Sequence, residues 1–232
     1  MDLFKNIEVL TFDCYGTLVD WETGLLQVLR PLMKTHGVSI ENDKLLELYG
    51  ILEAAEEQGE YKNYKSVLRA VAHGLGQKLG FSLSNTEADT LARSLGNWPP
   101  FADTVEALQA LKRKYKLAII SNTEDDLFGE TQRHLGVHFD WIITAEQVKS
   151  YKPSSNNFTH ALKRIGTKPE RILHVAQSLY HDIPPARSVG MNTVWIDRRY
   201  KTAGFGATLP ANVTPDLAVP SLKTLARLMQ VL

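Results

Sequence analysis

The stretch Ile7-Glu8-Val9-Leu10-Thr11-Phe12-Asp13-Cys14-Tyr15-Gly16-Thr17-Leu18 decides how this chain is read. Residues 7–12 are short, apolar and rich in β-formers; the run stops at Asp13, and Gly16 follows in a turn. A buried parallel strand ending in a polar loop is the simplest account. The pattern recurs: residues 117–120 stop at Ser121-Asn122, Ile142 and Ile143 begin a third strand, residues 172–175 form a fourth and residues 192–196 a fifth. Helical spacing separates them over residues 105–114, 158–165 and 182–189, the last with Pro184 and Pro185 in its first turn, where a missing N–H is tolerated. Residues 204–220 are read as a surface loop and 221–231 as a closing helix. Alternating strand and helix predicts an α/β fold with a doubly wound parallel sheet.

Residues 21–97 break the alternation. Helical runs over 23–35, 43–58, 64–79 and 86–95 follow one another with no convincing strand between them. This predicts a helical cap inserted after the first strand, over the carboxyl ends of the sheet. Trp98-Pro99-Pro100-Phe101 marks the return, because proline disfavours a continuing helix. The expected division is a core of residues 1–20 and 98–232 and a cap of residues 21–97.

Composition narrows the class. The chain has 232 residues, 44% apolar and 22% charged, as a folded globular protein does. Lys+Arg and Asp+Glu both number 26, so there is no global basic excess and nucleic acid is not the expected partner. A single cysteine, Cys14, excludes an intrachain disulfide and is compatible with a reducing compartment. No signal-peptide pattern opens the sequence, and no run nears the roughly 18 apolar residues of a membrane span. The expectation is a soluble, cytoplasmic protein that acts on a small molecule and binds no membrane.

Ligands of open α/β sheets bind beyond the carboxyl ends of the strands. There the predicted strands bring together Asp13, Thr17, Ser121, Asn122, Lys152, Gln177, Ser178 and Asp182. Phe12-Asp13-Cys14-Tyr15-Gly16-Thr17-Leu18 resembles the first motif of the haloacid dehalogenase superfamily. Ile120-Ser121-Asn122 is similar to its second, Lys152-Pro153 to its third, and Val175-Ala176-Gln177-Ser178-Leu179-Tyr180-His181-Asp182 to its fourth. The resemblance spans nearly the whole chain and implies a Rossmann-like core with the cap where the helices fall.

Within that superfamily, the Asp-x-Tyr-Gly-Thr pattern resembles the metal-independent (S)-2-haloacid dehalogenases. Phosphatases carry a second aspartate where Tyr15 stands, and Gln177 occupies a position where a Mg²⁺-holding acid is common. The resemblance implies no cofactor, with Mg²⁺ needed only under the phosphatase alternative. It also implies covalent catalysis. Asp13 attacks C2 of a 2-haloalkanoate and displaces halide, and water hydrolyses the aspartyl ester to a 2-hydroxy acid. Lys152 keeps Asp13 ionised, Thr17 orients it, and Ser121 with the N–H groups of Cys14 and Tyr15 holds the substrate carboxylate. Asn122 meets the halide, and Asp182 with Ser178 and Gln177 attends the water and substrate. A homodimer is the assembly such enzymes suggest.

The match has departures. The family's halide-cradling arginine falls near Tyr49-Gly50, leaving Lys62, Lys65 and Arg69 as candidate replacements; a family tyrosine is Phe158 here. His181 is read as structural, His174 as buried and hydrogen-bonded, and Cys14 as a packing residue. Two other functions stay open: a Mg²⁺-dependent phosphatase with a degenerate motif, and a non-catalytic binding protein that keeps the fold.

Overall fold

The computed structural model describes residues 2–232. Six parallel strands form one sheet: β1 (Val9–Phe12), β2 (Lys116–Ser121), β3 (Trp141–Thr144), β4 (Ile172–Ala176), β5 (Asn192–Ile196) and β6 (Leu217–Val219), in the spatial order β3-β2-β1-β4-β5-β6. The order reverses between β1 and β4, so the crevice beyond these two strands is where a doubly wound sheet places its ligand. Phe12 stands in register with Ile119 of β2 and Val175 of β4. The polar residues that follow these three positions therefore emerge side by side.

Alternate residues of each strand feed two apolar layers. Val9, Ala118, Ile120 and Ile172 face α9 (Ser155–Ile165) and α10 (Ile183–Ser188). Leu10, Phe12, Leu117, Ile119, Leu173 and Val175 face the other layer, which includes α6 (Thr104–Lys112) and α11 (Leu222–Leu228). Leu10 and Phe12 are fully buried; each such side chain is worth about 2 kcal/mol of apolar burial.

Between β1 and α6 lie α1 (Trp21–Thr35), α2 (Asn42–Glu56), α3 (Tyr64–Leu79), α4 (Asn85–Ala88) and α5 (Thr90–Ser94), with no strand among these described residues. Asp20 and Asn63 cap α1 and α3 by accepting from Thr23 N–H and Ser66 N–H, and Gly80 ends α3 in the left-handed conformation. The predicted helix over 86–95 is two short pieces, because the chain turns at Asp89.

Two further features depart from the sequence reading. The loop expected over 204–220 contains β6, which pairs with β5 through Val194 and Leu217 and through Ile196 and Val219. Helices α7 (Asp125–Gln132) and α8 (Ala145–Val148) cover segments to which no element was given. The first is short and acidic and exposes four of its eight residues, so its periodicity is faint.

Candidate active site

The peptide after β1 is bent so that Asp13 stands at the strand's end. The carbonyl of Cys14 accepts from the N–H groups of Thr17 (3.2 Å), Leu18 (2.8 Å) and Val19 (3.1 Å). Gly16 sits at φ +92°, and a Cβ there would come within 3.1 Å of Gln177 Oε1, so the turn needs glycine. Thr17 is thereby returned toward Asp13 and donates to its Oδ2 at 2.6 Å. The same hydroxyl accepts from Gln177 N–H at 2.9 Å, which fixes the direction of its proton. The Thr17 carbonyl is gripped by Arg198, which donates through Nε (3.1 Å) and Nη2 (2.8 Å) and through Nη1 to Asp103 (2.7 Å).

Lys152 is 2% exposed and reaches in from the loop after α8. Its ammonium donates to Asp13 Oδ1 (2.9 Å), Asp182 Oδ1 (2.6 Å) and the Ile120 carbonyl (3.0 Å). Three acceptors for three donors leave the charge fully satisfied, and the two acids hold the ammonium above its ordinary pKa despite burial. Burial opposes ionisation of Asp182 too, but Lys152 and His174 outweigh it and hold that carboxyl at about 2. His174 donates from Nε2 to Asp182 Oδ1 at 3.0 Å and meets Thr11 Oγ1 through Nδ1 at 2.8 Å. Burial raises the Asp13 carboxyl above its ordinary value; Lys152 and Thr17 draw it back, and Asp182 pushes it up.

A cavity of about 40 Å³ lies over Asp13, lined also by Tyr15, Ser121, Asn122, Ser178, His181 and Asp182. Ser121 Oγ is buried there with no hydrogen-bond partner, as is Asp182 Oδ2. Neither the Cys14 nor the Tyr15 N–H donates a hydrogen bond among the described residues. Tyr15 turns its hydroxyl to Thr131 Oγ1 at 2.9 Å. Ser178 Oγ accepts from His181 N–H at 2.8 Å and so shapes the loop that presents His181 and Asp182.

Some expected residues stand elsewhere. Gln177 is not among the residues lining the Asp13 cavity: its Oε1 accepts from the Thr208 hydroxyl at 3.3 Å, and its backbone N–H holds Thr17. The Cys14 side chain is fully buried and burial pushes its thiol well up, so only its N–H serves the cavity. Asn122 has both amide hydrogens engaged, one on the Lys152 carbonyl (3.1 Å) and one on Glu57 (3.0 Å). Phe158 packs edge-on against His174 under the sheet. Lys62, Lys65 and Arg69 pair with Glu56, Asp126 and Asp89 and do not line the cavity. An arginine is also excluded at Gly50, where a Cβ would sit 2.4 Å from the Ala207 carbonyl.

What lines the cavity from the helical segment is acidic and aromatic: Glu53, Glu57, Tyr64 and Trp21. Tyr49 and Tyr64 hydroxyls both donate to Glu53 Oε1, at 2.7 and 2.6 Å. Burial raises Glu53 to about 7 despite these bonds. Glu57, at the carboxyl end of α2, is raised well above its ordinary value by burial and by Glu53. His181 also lines the cavity and is not merely a surface residue; burial lowers its imidazole to about 4.

Residues 7–190 match the haloacid dehalogenase-like hydrolases. The chain belongs to that family. It is 31% identical to a (S)-2-haloacid dehalogenase of Pseudomonas fluorescens over 220 residues, 92% of this chain and 95% of that one. It is 29% identical to a glyceraldehyde 3-phosphate phosphatase of Methanothermobacter thermautotrophicus, covering 82% of this chain and 86% of that one. Its fold matches the L-2-haloacid dehalogenase from Xanthobacter autotrophicus with chloropropionic acid covalently bound, at a TM-score of 0.79 and 22% identity, covering 97% of this chain and 98% of that one. As in those structures, a parallel α/β sheet carries a helical region after β1. This hydrolase has, among its described residues, no helix long and apolar enough to cross a membrane.

Proposed function

We propose that this hydrolase cleaves the carbon–halogen bond of small (S)-2-haloalkanoic acids through a covalent Asp13 ester, with residues 21–97 acting as the cap. The observation that carries the reading is Lys152 Nζ bonded to both Asp13 and Asp182, with Tyr15 where a leaving-group acid would stand. A Mg²⁺ ion, which the phosphatase members of the family imply, would draw on Asp13 and Asp182 as oxygen ligands; Lys152 already holds the Oδ1 of each, Thr17 holds Asp13 Oδ2, and Gln177 stands where a further acid would serve, so the donor set suits the ammonium better than a metal. The described residues hold no group of three or more His, Cys, Asp or Glu side chains able to bind a metal.

In the first step an Asp13 oxygen bonds to C2 as the carbon–halogen bond breaks and halide departs with the electron pair. Ser121 Oγ and the N–H groups of Cys14 and Tyr15 are the unpaired donors available to the substrate carboxylate. In the second step water adds to the Asp13 carbonyl carbon, and the 2-hydroxy acid leaves with the original Asp13 oxygen. Asp182 Oδ2 is the buried acceptor that orients this water. Held at about 2, Asp182 is too weak a base to keep the proton.

The test is halide release from (S)-2-chloropropionate and bromoacetate in EDTA, with Asp13→Asn as control. Release that survives EDTA and vanishes in the variant is the expected result. No release, together with Mg²⁺-dependent phosphoester cleavage, refutes the reading in favour of a phosphatase.

A further inference from the structure

The cavity over Asp13 has two unlike sides. From the strand ends it receives unpaired donors, Ser121 Oγ and the N–H groups of Cys14 and Tyr15. The buried, unpartnered Ser121 Oγ shows that the cavity is built for a ligand. From the helical segment it receives acceptors. Glu53 and Glu57 both line it, and the Glu57 side chain is 5% exposed. Glu53 Oε1 takes the Tyr49 and Tyr64 hydroxyls, and no hydrogen bond among the described residues reaches its Oε2. The Glu57 oxygens share one Asn122 amide group, at 3.2 and 3.0 Å. Each carboxyl therefore keeps lone pairs for a ligand.

Charge is unbalanced on the same scale. Four carboxyls line the cavity, those of Asp13, Glu53, Glu57 and Asp182, against the one ammonium of Lys152. The three hydrogens of that ammonium are already on Asp13, Asp182 and the Ile120 carbonyl. His181 Nε2 stands 3.7 Å from Glu57 Oε2, but burial lowers its imidazole to about 4, so it carries no charge near neutral pH. A substrate carboxylate adds one more negative charge. The empty cavity meets this imbalance by keeping protons on its glutamates. A cation brought in from outside would relieve it instead, because buried carboxylates are stable only when paired. Trp21 and Tyr64 line the cavity beside the two glutamates, and aromatic rings attract an ammonium group.

We propose that Glu53 and Glu57 are specificity-determining residues that receive an ammonium group of the substrate, so that the preferred substrates are 2-halo acids carrying an ammonium on C3. The proposal rests on the dehalogenase reading above and names its substrate class. The reaction fixes three substituents of C2: the carboxylate, the halogen and the hydrogen. The fourth is the one free to carry the cation. The chemistry is otherwise unchanged. An Asp13 oxygen bonds to C2, chloride leaves with the electron pair, and water cleaves the ester. A 2-chloro-3-ammonio acid and water become a 3-ammonio-2-hydroxy acid, chloride and a proton, with the ammonium a spectator throughout.

The experiment compares chloride release from (S)-2-chloro-3-aminopropionate and from (S)-2-chlorobutyrate, which differ by an ammonium in place of a methyl group. Both are run with wild type, Glu53→Gln and Glu57→Gln, against enzyme-free controls, with (S)-2-chloropropionate as the reference substrate. In wild type kcat/KM should favour the aminated acid by about tenfold or more, and Glu57→Gln should cut that preference by about 10- to 100-fold, the worth of a hydrogen bond to a charged group. If neither variant folds, wild type serves alone: β-alanine should inhibit turnover of (S)-2-chloropropionate at about one-tenth the concentration needed with butyrate, its uncharged-tail counterpart. A wild type that turns over (S)-2-chloropropionate and shows no preference for the aminated acid overturns the proposal and leaves the dehalogenase reading intact. A preference that survives in both folded variants overturns it too, as does equal inhibition by β-alanine and butyrate. No chloride release from any of the three acids sinks both.

Discussion

Replacing Glu53 by glutamine should make this protein more stable at alkaline pH and leave it nearly unchanged at pH 5. Glu53 is 4% exposed, and its Oε1 accepts from two tyrosine hydroxyls. Burial nevertheless raises its carboxyl from 4.5 to about 7. Between those values the folded protein holds a proton that the unfolded chain has released, so stability falls as pH rises. At about 1.4 kcal/mol per pH unit, the full loss above pH 7 is about 3 kcal/mol. Glutamine keeps an oxygen for the two hydroxyls and has no proton to lose. For a chain of this size, about 3 kcal/mol corresponds to roughly 6–12 °C in Tm. The assay is denaturant unfolding of both proteins at half-unit steps from pH 5 to 8.5, read as the difference between them. That difference cancels the opposite contribution of His181, which is lowered to about 4 and favours folding as pH rises through 4 to 6.5. A difference that stays constant from pH 5 to 8.5 refutes the reasoning.

Lys152→Met leaves Asp13 and Asp182 buried together without their shared cation, and should cost about 3–5 kcal/mol of stability along with all halide release, measured by unfolding and by ion chromatography. Thr17→Val removes a hydrogen bond to a charged oxygen worth about 1.5–3 kcal/mol, so kcat should drop roughly 10- to 100-fold with little change in KM. Arg198→Lys replaces a fork that grips the Thr17 carbonyl twice with a single point charge; kcat should fall about tenfold, and a KM effect alone would count against this positioning role. Asp182, held at about 2, stabilises the fold above its unfolded value of about 3.9 and loses that contribution as pH falls toward 2. Acid titration of wild type against Asp182→Asn should show it as about 2 kcal/mol.

The parts of the site that sequence made visible are those at strand ends. Asp13 and Ser121 stand at the ends of apolar runs that read as buried strands, and parallel register brings such positions to one edge without further information; Asp182 lies six residues beyond β4 and, like Lys152, is visible only through its motif. Lys152 was found through its motif, but its three hydrogen bonds depend on how the chain after α8 folds back. The acidic half of the cavity stayed hidden because glutamates at 53, 56 and 57 on a helix read as a solvated face. A signal was present: Tyr49, Glu53 and Glu57 are four residues apart and share one stripe, and Glu56, off that stripe, pairs with Lys62 at the surface. Only tertiary packing says which stripe is covered. Likewise β6 has three residues, too few for alternation to show, and its place is set by pairing with β5.

The size of the cavity over Asp13 has a consequence for the order of events. Under the dehalogenase reading, substrate and hydrolytic water are received in the same small chamber, about 40 Å³, which offers two buried polar atoms without partners, Ser121 Oγ and Asp182 Oδ2. We expect them to be served in succession, water moving in where halogen has moved out. Departure of halide then sets the clock for the second half of the turnover. Added halide should slow the breakdown of the ester as well as compete with substrate, and covalently loaded Asp13 should accumulate in its presence, visible as a mass increase on the intact chain.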